Sequence, residues 1–142
     1  AQDECFFAEK GQGAWMNESR MRVSGRRSMV DCVFATGLPS AGRSDLPQTL
    51  KDLAQILPIT AGVRNLGSPA LDLAYVAAGR FDGVWERRLK VWDLAAGIVI
   101  LKEAGGFIES IHPGGNMLED GTVIGSNDQI FSQLSKAIRK SN

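Results

Sequence analysis

The sequence predicts an α/β fold, a layered mixed β-sheet with flanking helices, and three observations lead there. Short runs rich in Val, Ile, Phe and Trp alternate along the chain with longer segments whose apolar residues recur at three- and four-residue steps. The helical segments carry start and stop signals, with proline or a small polar residue in front and glycine or proline behind. The chain has 142 residues, 44% of them hydrophobic, which suffices to bury one core without disulfides and suits a single domain.

In chain order, residues 5–10 and 14–17 flank Gly11-Gln12-Gly13 and predict a β-hairpin. This glycine pair does not make a dinucleotide loop, because Met16 stands at the third small position and the chain returns to a strand. Residues 17–20 predict a second turn and residues 22–24 a short extension. A polar link follows through Gly25-Arg26-Arg27, whose basic residues are expected in solvent. Residues 31–36 form a compact strand ended by Gly37-Leu38-Pro39, and residues 40–45 a loop. Leu46, Leu50, Leu53, Ile56 and Leu57 then share one helical face, with Asp45 as cap, Pro47 in the first turn and Pro58 as the stop. Residues 59–66 are expected as a strand. The next helix starts at a Ser68 cap with Pro69 in its first turn and stops at Gly79, and its N-terminus presents free N–H groups suited to an anion or a sugar hydroxyl, or is simply a capped helix.

Residues 81–86 alternate as a strand, and Arg87-Arg88-Leu89-Lys90-Val91 leads straight into a helix over 92–106. Asp93 stands in its first turn, where it complements the helix dipole, and Gly105-Gly106 supplies a left-handed stop. Between them Leu94, Ala95, Ile98, Val99, Ile100, Leu101 and Ala104 leave almost no polar face, which predicts a helix buried on most sides. Glu86 and Asp93 bracket one strand-to-helix connection, so both carboxylates can face the crevice at the strand ends where α/β proteins bind ligands. A strand over 107–111, a glycine-bearing turn, a strand over 122–127 and a terminal amphipathic helix capped by Asn127 or Asp128 complete the chain.

Charge and composition exclude several function classes. Sixteen basic residues balance sixteen acidic ones, so a surface devoted to nucleic acid is not expected. No run is long enough to cross a bilayer and no basic-then-apolar leader opens the sequence, which points to a soluble, cytoplasmic protein. His112 is the sole histidine, and Cys5 and Cys32 lie in apolar runs, so they read as buried thiols in a reducing compartment and not as zinc ligands.

The residues also carry a resemblance. Gly67-Ser68-Pro69-Ala70-Leu71-Asp72-Leu73-Ala74-Tyr75-Val76-Ala77-Ala78-Gly79, Phe81-Asp82-Gly83, Trp85-Glu86, Trp92-Asp93-Leu94-Ala95-Ala96-Gly97 and Glu103-Ala104-Gly105-Gly106 resemble the C-terminal half of an inositol monophosphatase. Phe7-Ala8-Glu9-Lys10-Gly11-Gln12-Gly13-Ala14 resembles the hairpin after that family's first metal motif, so the likeness spans the chain. The resemblance implies the C-terminal half of an αβαβα sugar-phosphatase fold, with residues 1–142 as one domain preceded by a missing N-terminal half. It implies a magnesium-dependent phosphomonoesterase, usually dimeric, acting on an inositol phosphate or similar small ester.

By the same resemblance Asp93 matches a metal-binding aspartate and Glu86 an acid that hydrogen-bonds substrate hydroxyls. Gly67 and Ser68 match the wall of the substrate pocket, with Pro69 where the family more often has alanine. A hard divalent ion prefers carboxylate oxygen, and Mg2+ keeps its waters unless several anionic ligands converge. The family's other ligands, in a glutamate-bearing loop and an Asp-Pro-(Ile/Leu)-Asp-Gly-Thr motif, do not occur in these residues, so the chain by itself is expected to be inactive. The alternatives are a related phosphatase acting on fructose bisphosphate, a nucleotide bisphosphate or histidinol phosphate, and a non-catalytic binding or assembly domain. An uncovered sheet edge and apolar surface predict self-association.

Overall fold

The computed structural model describes residues 2–41 and 45–142. The chain opens on a three-stranded antiparallel sheet, β1 (Phe6–Glu9), β2 (Gly13–Met16) and β3 (Ser19–Met21). The expected hairpin is present, with Gly11 and Gly13 both at positive φ in its turn. The expected turn over 17–20 is shorter, because Asn17 alone takes a left-handed φ of 53° and releases Ser19 to pair with Met16. The link that follows is held and not merely solvated. Arg26 pairs at 3.1 Å with the buried Asp82, which also accepts the Ser24 hydroxyl and the Val33 N–H.

A larger sheet lies beyond, built from β4 (Val33–Thr36), β5 (Gly62–Arg64), β6 (Gly83–Glu86), β7 (Phe107–Glu109) and β8 (Val123–Ser126) in the order β5-β4-β6-β8-β7. β5, β4 and β6 run parallel, and β8 is antiparallel to both β6 and β7, so the sheet is mixed as the sequence predicts. Side chains alternate across it. Ala35, Val84 and Val123 enter one core with Leu73, Leu94 and Leu101, from α2 (Pro69–Ala77) and α3 (Val91–Glu103). Phe34, Trp85 and Ile124 point the other way, into a core with Ile56 of α1 (Leu46–Ile56) and Leu134 and Ile138 of α5 (Phe131–Lys140). Because α3 also packs on β1 and β2, the layers run small sheet, helix pair, large sheet, helix pair.

Several local expectations are corrected. The strand expected over 59–66 shrinks to β5, because Pro58 and its neighbours form a 3-10 turn, Leu57–Ile59, in place of extended chain. Asp45 precedes α1 without a side-chain cap and lies 3.8 Å from Arg88, and residues 42–44 of the loop expected over 40–45 lie outside the described residues. Asn127 accepts the N–H groups of Gln129 and Ile130, capping the turn before α5 and not the helix itself. A four-residue helix, α4 (Met117–Asp120), follows the turn read over 112–116, in residues to which the sequence assigned no element. Cys5 is exposed, since β1 turns its neighbours Phe6 and Ala8 inward, whereas Cys32 is buried as expected.

The largest correction concerns α3. Leu94, Gly97, Leu101 and Ala104 are buried, but Val91, Trp92, Ala95, Ala96 and Val99 form an exposed apolar face, with Trp92 77% accessible. The absence of polar residues signals burial on every side only when a partner covers each face, and this face is left exposed by the described residues. At its far end α3 does what its motif requires. The Glu103 carboxylate accepts the N–H groups of Gly11 (2.8 Å) and Gly13 (3.0 Å), clamping the β1–β2 turn, and Gly105 takes a φ of 86° as the helix stops.

Candidate active site

The topology fixes where a site can form. From β4 the chain crosses through α1 to β5 on one side, then through α2 to β6 on the other, so the strand order reverses at β4. Strands that part in this way leave a crevice at their carboxyl ends. A cleft of about 420 Å³ opens there, floored by Thr36 and Gly37 after β4, walled by Asn65, Gly67 and Ser68 after β5, and closed by the connection from Glu86 to Asp93 after β6. All four residues singled out in the sequence, Gly67, Ser68, Glu86 and Asp93, line this one cleft.

Asp93 is the third residue of α3. Its Oδ2 accepts the Lys90 N–H at 2.9 Å while its own N–H donates to the Lys90 carbonyl, so the helix start fixes the carboxylate. That cap occupies one oxygen of a group with two. Ser68 is the N-cap of α2, its Oγ accepting the Leu71 N–H at a long 3.4 Å, and Pro69 fills the first turn without loss because its missing N–H is one the helix leaves unbonded. Gly67 has a φ of 75° and open space where a Cβ would lie, so backbone conformation and not crowding demands glycine there. Arg88 also takes a left-handed φ, 59°, in the connection between Glu86 and Asp93.

Glu86 ends β6 with 4% exposure, and its Oε1 has no hydrogen-bond partner; the Gly37 backbone N–H bonds its carboxylate. Burial raises its pKa first, and the neighbouring Asp72 carboxyl raises it further. A Cβ on Gly37 would fall 2.6 Å from Glu86 Oε2, so the floor of the cleft is shaped around this carboxyl. Asp72, from the first turn of α2, is 1% exposed with both carboxyl oxygens unpartnered, and burial raises its pKa as well. The sequence reading did not single out Asp72. A polar residue flanked by Leu71 and Leu73 on an otherwise apolar helix was the available signal.

Arg87 is not a partner for Glu86 or Asp93. It forms a two-pronged bond with Asp52 of α1 (2.8 and 3.0 Å), and Asp52 also receives Gln48 and Ser141, which ties α1 to the end of α5 beside the cleft.

The residues present fit a metal only in part. Among the described residues no group of three or more His, Cys, Asp or Glu could hold an ion. Asp93 offers one hard oxygen ligand, and an octahedral Mg2+ needs further anionic partners before it sheds water. No helix of the described residues is long and apolar enough to cross a membrane.

Comparison with known proteins shows the family. The profile of the Inositol monophosphatase family matches residues 1–142. An inositol-1-monophosphatase of Mesorhizobium japonicum is 47% identical over 140 residues, covering 99% of this chain and 53% of that protein. A Nus factor SuhB of Pseudomonas aeruginosa is 39% identical over 138 residues, covering 96% of this chain and 51% of its own. The crystal structure of the extragenic suppressor protein suhB of Bartonella henselae superposes with a TM-score of 0.92 at 44% identity, over 97% of this chain and 53% of that one. The chain thus spans about half the length of the relatives it matches. With a family profile matching its whole length and a relative at 47% identity, the chain belongs to the inositol monophosphatase family.

Proposed function

We propose that this chain is one half of a magnesium-dependent phosphomonoesterase acting on inositol monophosphate, with Asp93 as a metal ligand and Glu86, Gly67 and Ser68 as the pocket for substrate hydroxyls. The observation that carries this reading is the convergence of a helix-fixed carboxylate, Asp93, and a buried acceptor, Glu86, in one cleft at the switch point of a family fold. Magnesium supplies charge neutralisation and an activated water once its ligand set is complete. One carboxylate does not complete that set, so the remaining ligands come from the other half of the length seen in relatives, and the 142 residues alone do not turn over substrate. The exposed apolar face of α3 and the open edges of β1 and β3 suit a covering partner, supplied by that other half and by a second copy in a homodimer. The free thiols of Cys5 and Cys32 fit a cytoplasmic location.

The test is phosphate release from inositol monophosphate by the intact protein, with and without Mg2+, beside Asp93→Asn. Metal-dependent turnover that falls at least 100-fold in the variant is expected. Full activity in Asp93→Asn would refute the assignment, and turnover by the 142-residue chain alone would refute the need for completion. A related phosphate ester as the better substrate would favour another phosphatase of the superfamily. An assembly role draws on the exposed Trp92 face and on relatives named Nus factor, and it gains if the intact protein hydrolyses none of these esters.

A further inference from the structure

The connection from Glu86 to Asp93 closes the cleft, and neither helix nor strand runs through its middle. Arg88, near its centre, takes a left-handed φ of 59°, a conformation that a residue with a Cβ keeps only where its surroundings impose it. Contacts on either side hold it there. Before it, Arg87 makes its two-pronged bond to Asp52 of α1, the two side chains being only 16% and 3% exposed. After it, the Leu89 N–H donates to the Gly121 carbonyl at 2.9 Å, and a Cβ on Gly121 would fall 2.6 Å from the Leu89 carbonyl oxygen, so the two backbones touch. Asp52 is itself fixed, because its Oδ1 also accepts Gln48 Nε2 at 3.0 Å and the Ser141 hydroxyl, while Gln48 donates to the Ser141 carbonyl at 3.1 Å. Arg87 and Asp52 line the cleft and Gln48 and Ser141 do not, so the pair stands between the cleft and the seam where α1 meets the end of α5. A guanidinium fork on a carboxylate is set in direction as well as distance, which a single charge contact is not.

We propose that Arg87 is a positioning residue for the cleft: through Asp52 it anchors the Glu86–Asp93 connection to α1, keeps Arg88 in its left-handed turn, and so sets the wall that a bound ester meets. This rests on the phosphatase reading for its substrate and on bonding geometry alone for the clamp. Arg87 touches no substrate itself, since its fork is occupied by Asp52. Without the fork the connection shifts and its wall fits the ester less well. Binding then weakens in the ground state and the transition state alike, which raises KM with little change in kcat.

The experiment uses the intact protein and two variants. Arg87→Lys keeps the charge and loses the fork, and Asp52→Asn places an amide N–H against a donor whichever way it is turned. Amide hydrogen exchange reads the clamp without any substrate. The Leu89 N–H should be protected in the wild type, and in both variants its protection should fall about tenfold further than that of the β4 and β8 amides. KM for inositol monophosphate should rise about fivefold or more, the scale of one lost hydrogen bond, with kcat changed less than about twofold. A merely structural role would lower the protection of all amides together and reduce kcat through the folded fraction, leaving KM alone. An unprotected Leu89 N–H in the wild type would overturn the inference without recourse to any variant. A uniform loss of protection, or an unchanged KM in either folded variant, would also overturn it while leaving the phosphatase reading intact. Where one variant does not fold, the other carries the same test. Absence of turnover by the wild type would sink the phosphatase reading, and exchange at Leu89 would then decide the clamp by itself.

Discussion

Gly97→Ala should destabilise the protein and displace its candidate metal ligand. Gly97 lies where α3 crosses α2, and a Cβ built on it falls 2.5 Å from Leu73 Cδ1 and 2.8 Å from Leu73 Cβ. The first contact could be relieved by a rotamer change. The second cannot, since a Cβ moves only with its backbone. An ordinary carbon contact needs about 3.5–4.0 Å, so the helices must separate by roughly 0.7–1.2 Å. Overpacking of this kind costs about 1–3 kcal/mol, and the helix preference of alanine over glycine returns up to about 1 kcal/mol, leaving a net loss on the order of 1–2 kcal/mol. Urea unfolding of the intact protein measures it, with a lowered midpoint at constant slope as the expected result. Because α3 carries Asp93 and α2 carries Ser68 and Asp72, the same shift should weaken Mg2+ binding in calorimetric titration. Combined with Leu73→Gly, which removes the Leu73 Cβ, the loss should be smaller than the sum of the two single losses, a coupling that distant sites do not show. A Gly97→Ala protein as stable as the wild type, or losses that simply add in the double variant, would refute the crowding argument.

The Asp52–Arg87 pair and the Asp72–Glu86 pair give two further expectations. Arg87→Ala leaves Asp52, with a side chain 3% exposed, without its cation, and should cost about 3–5 kcal/mol in chemical denaturation; a loss below about 1 kcal/mol would show that water replaces the guanidinium. Asp72 and Glu86 both hold protons more tightly folded than unfolded, because burial penalises their charged forms. The folded state therefore binds more protons, and stability from this pair is full at acidic pH and declines as pH rises from the ordinary carboxylate range through the raised folded values. Glu86→Gln should flatten that decline in melting profiles between pH 5 and about 9, and an unchanged slope in the variant would contradict it.

Much of this was legible in the sequence because it depended on local signals. The α3 boundaries follow from Asp93 and Gly105, and the α2 start from Ser68 and Pro69, since caps act on neighbours within a turn. Glu86 and Asp93 could be placed together because one short connection joins them. The pairing of Arg87 with Asp52 could not be read, because it joins residues 35 apart whose approach depends on how α1 packs. Asp72 escaped for a related reason: its significance lies in facing Glu86 across two elements, and a helical pattern shows only that it sits among apolar neighbours. The apolar character of α3 was read correctly and its meaning was not, since periodicity reports which faces avoid water and says nothing about which partner covers them.

The Glu103 clamp on the β1–β2 turn has a consequence for the order in which the molecule is made. The carboxylate and the Gly11 N–H it receives are 92 residues apart, so at ordinary rates of synthesis the turn waits roughly 5–20 s for its partner. During that interval Phe6, Ala8, Ala14 and Met16 have no α3 to cover them, and three short strands are marginal alone. The small sheet is therefore a late-closing part of the fold, and the contact that ratifies its turn is among the slowest the topology can form. A carboxylate at the end of α3 thus works as a clasp between two segments 92 residues apart, and whatever holds the nascent hairpin until Glu103 arrives protects its apolar face in the interval.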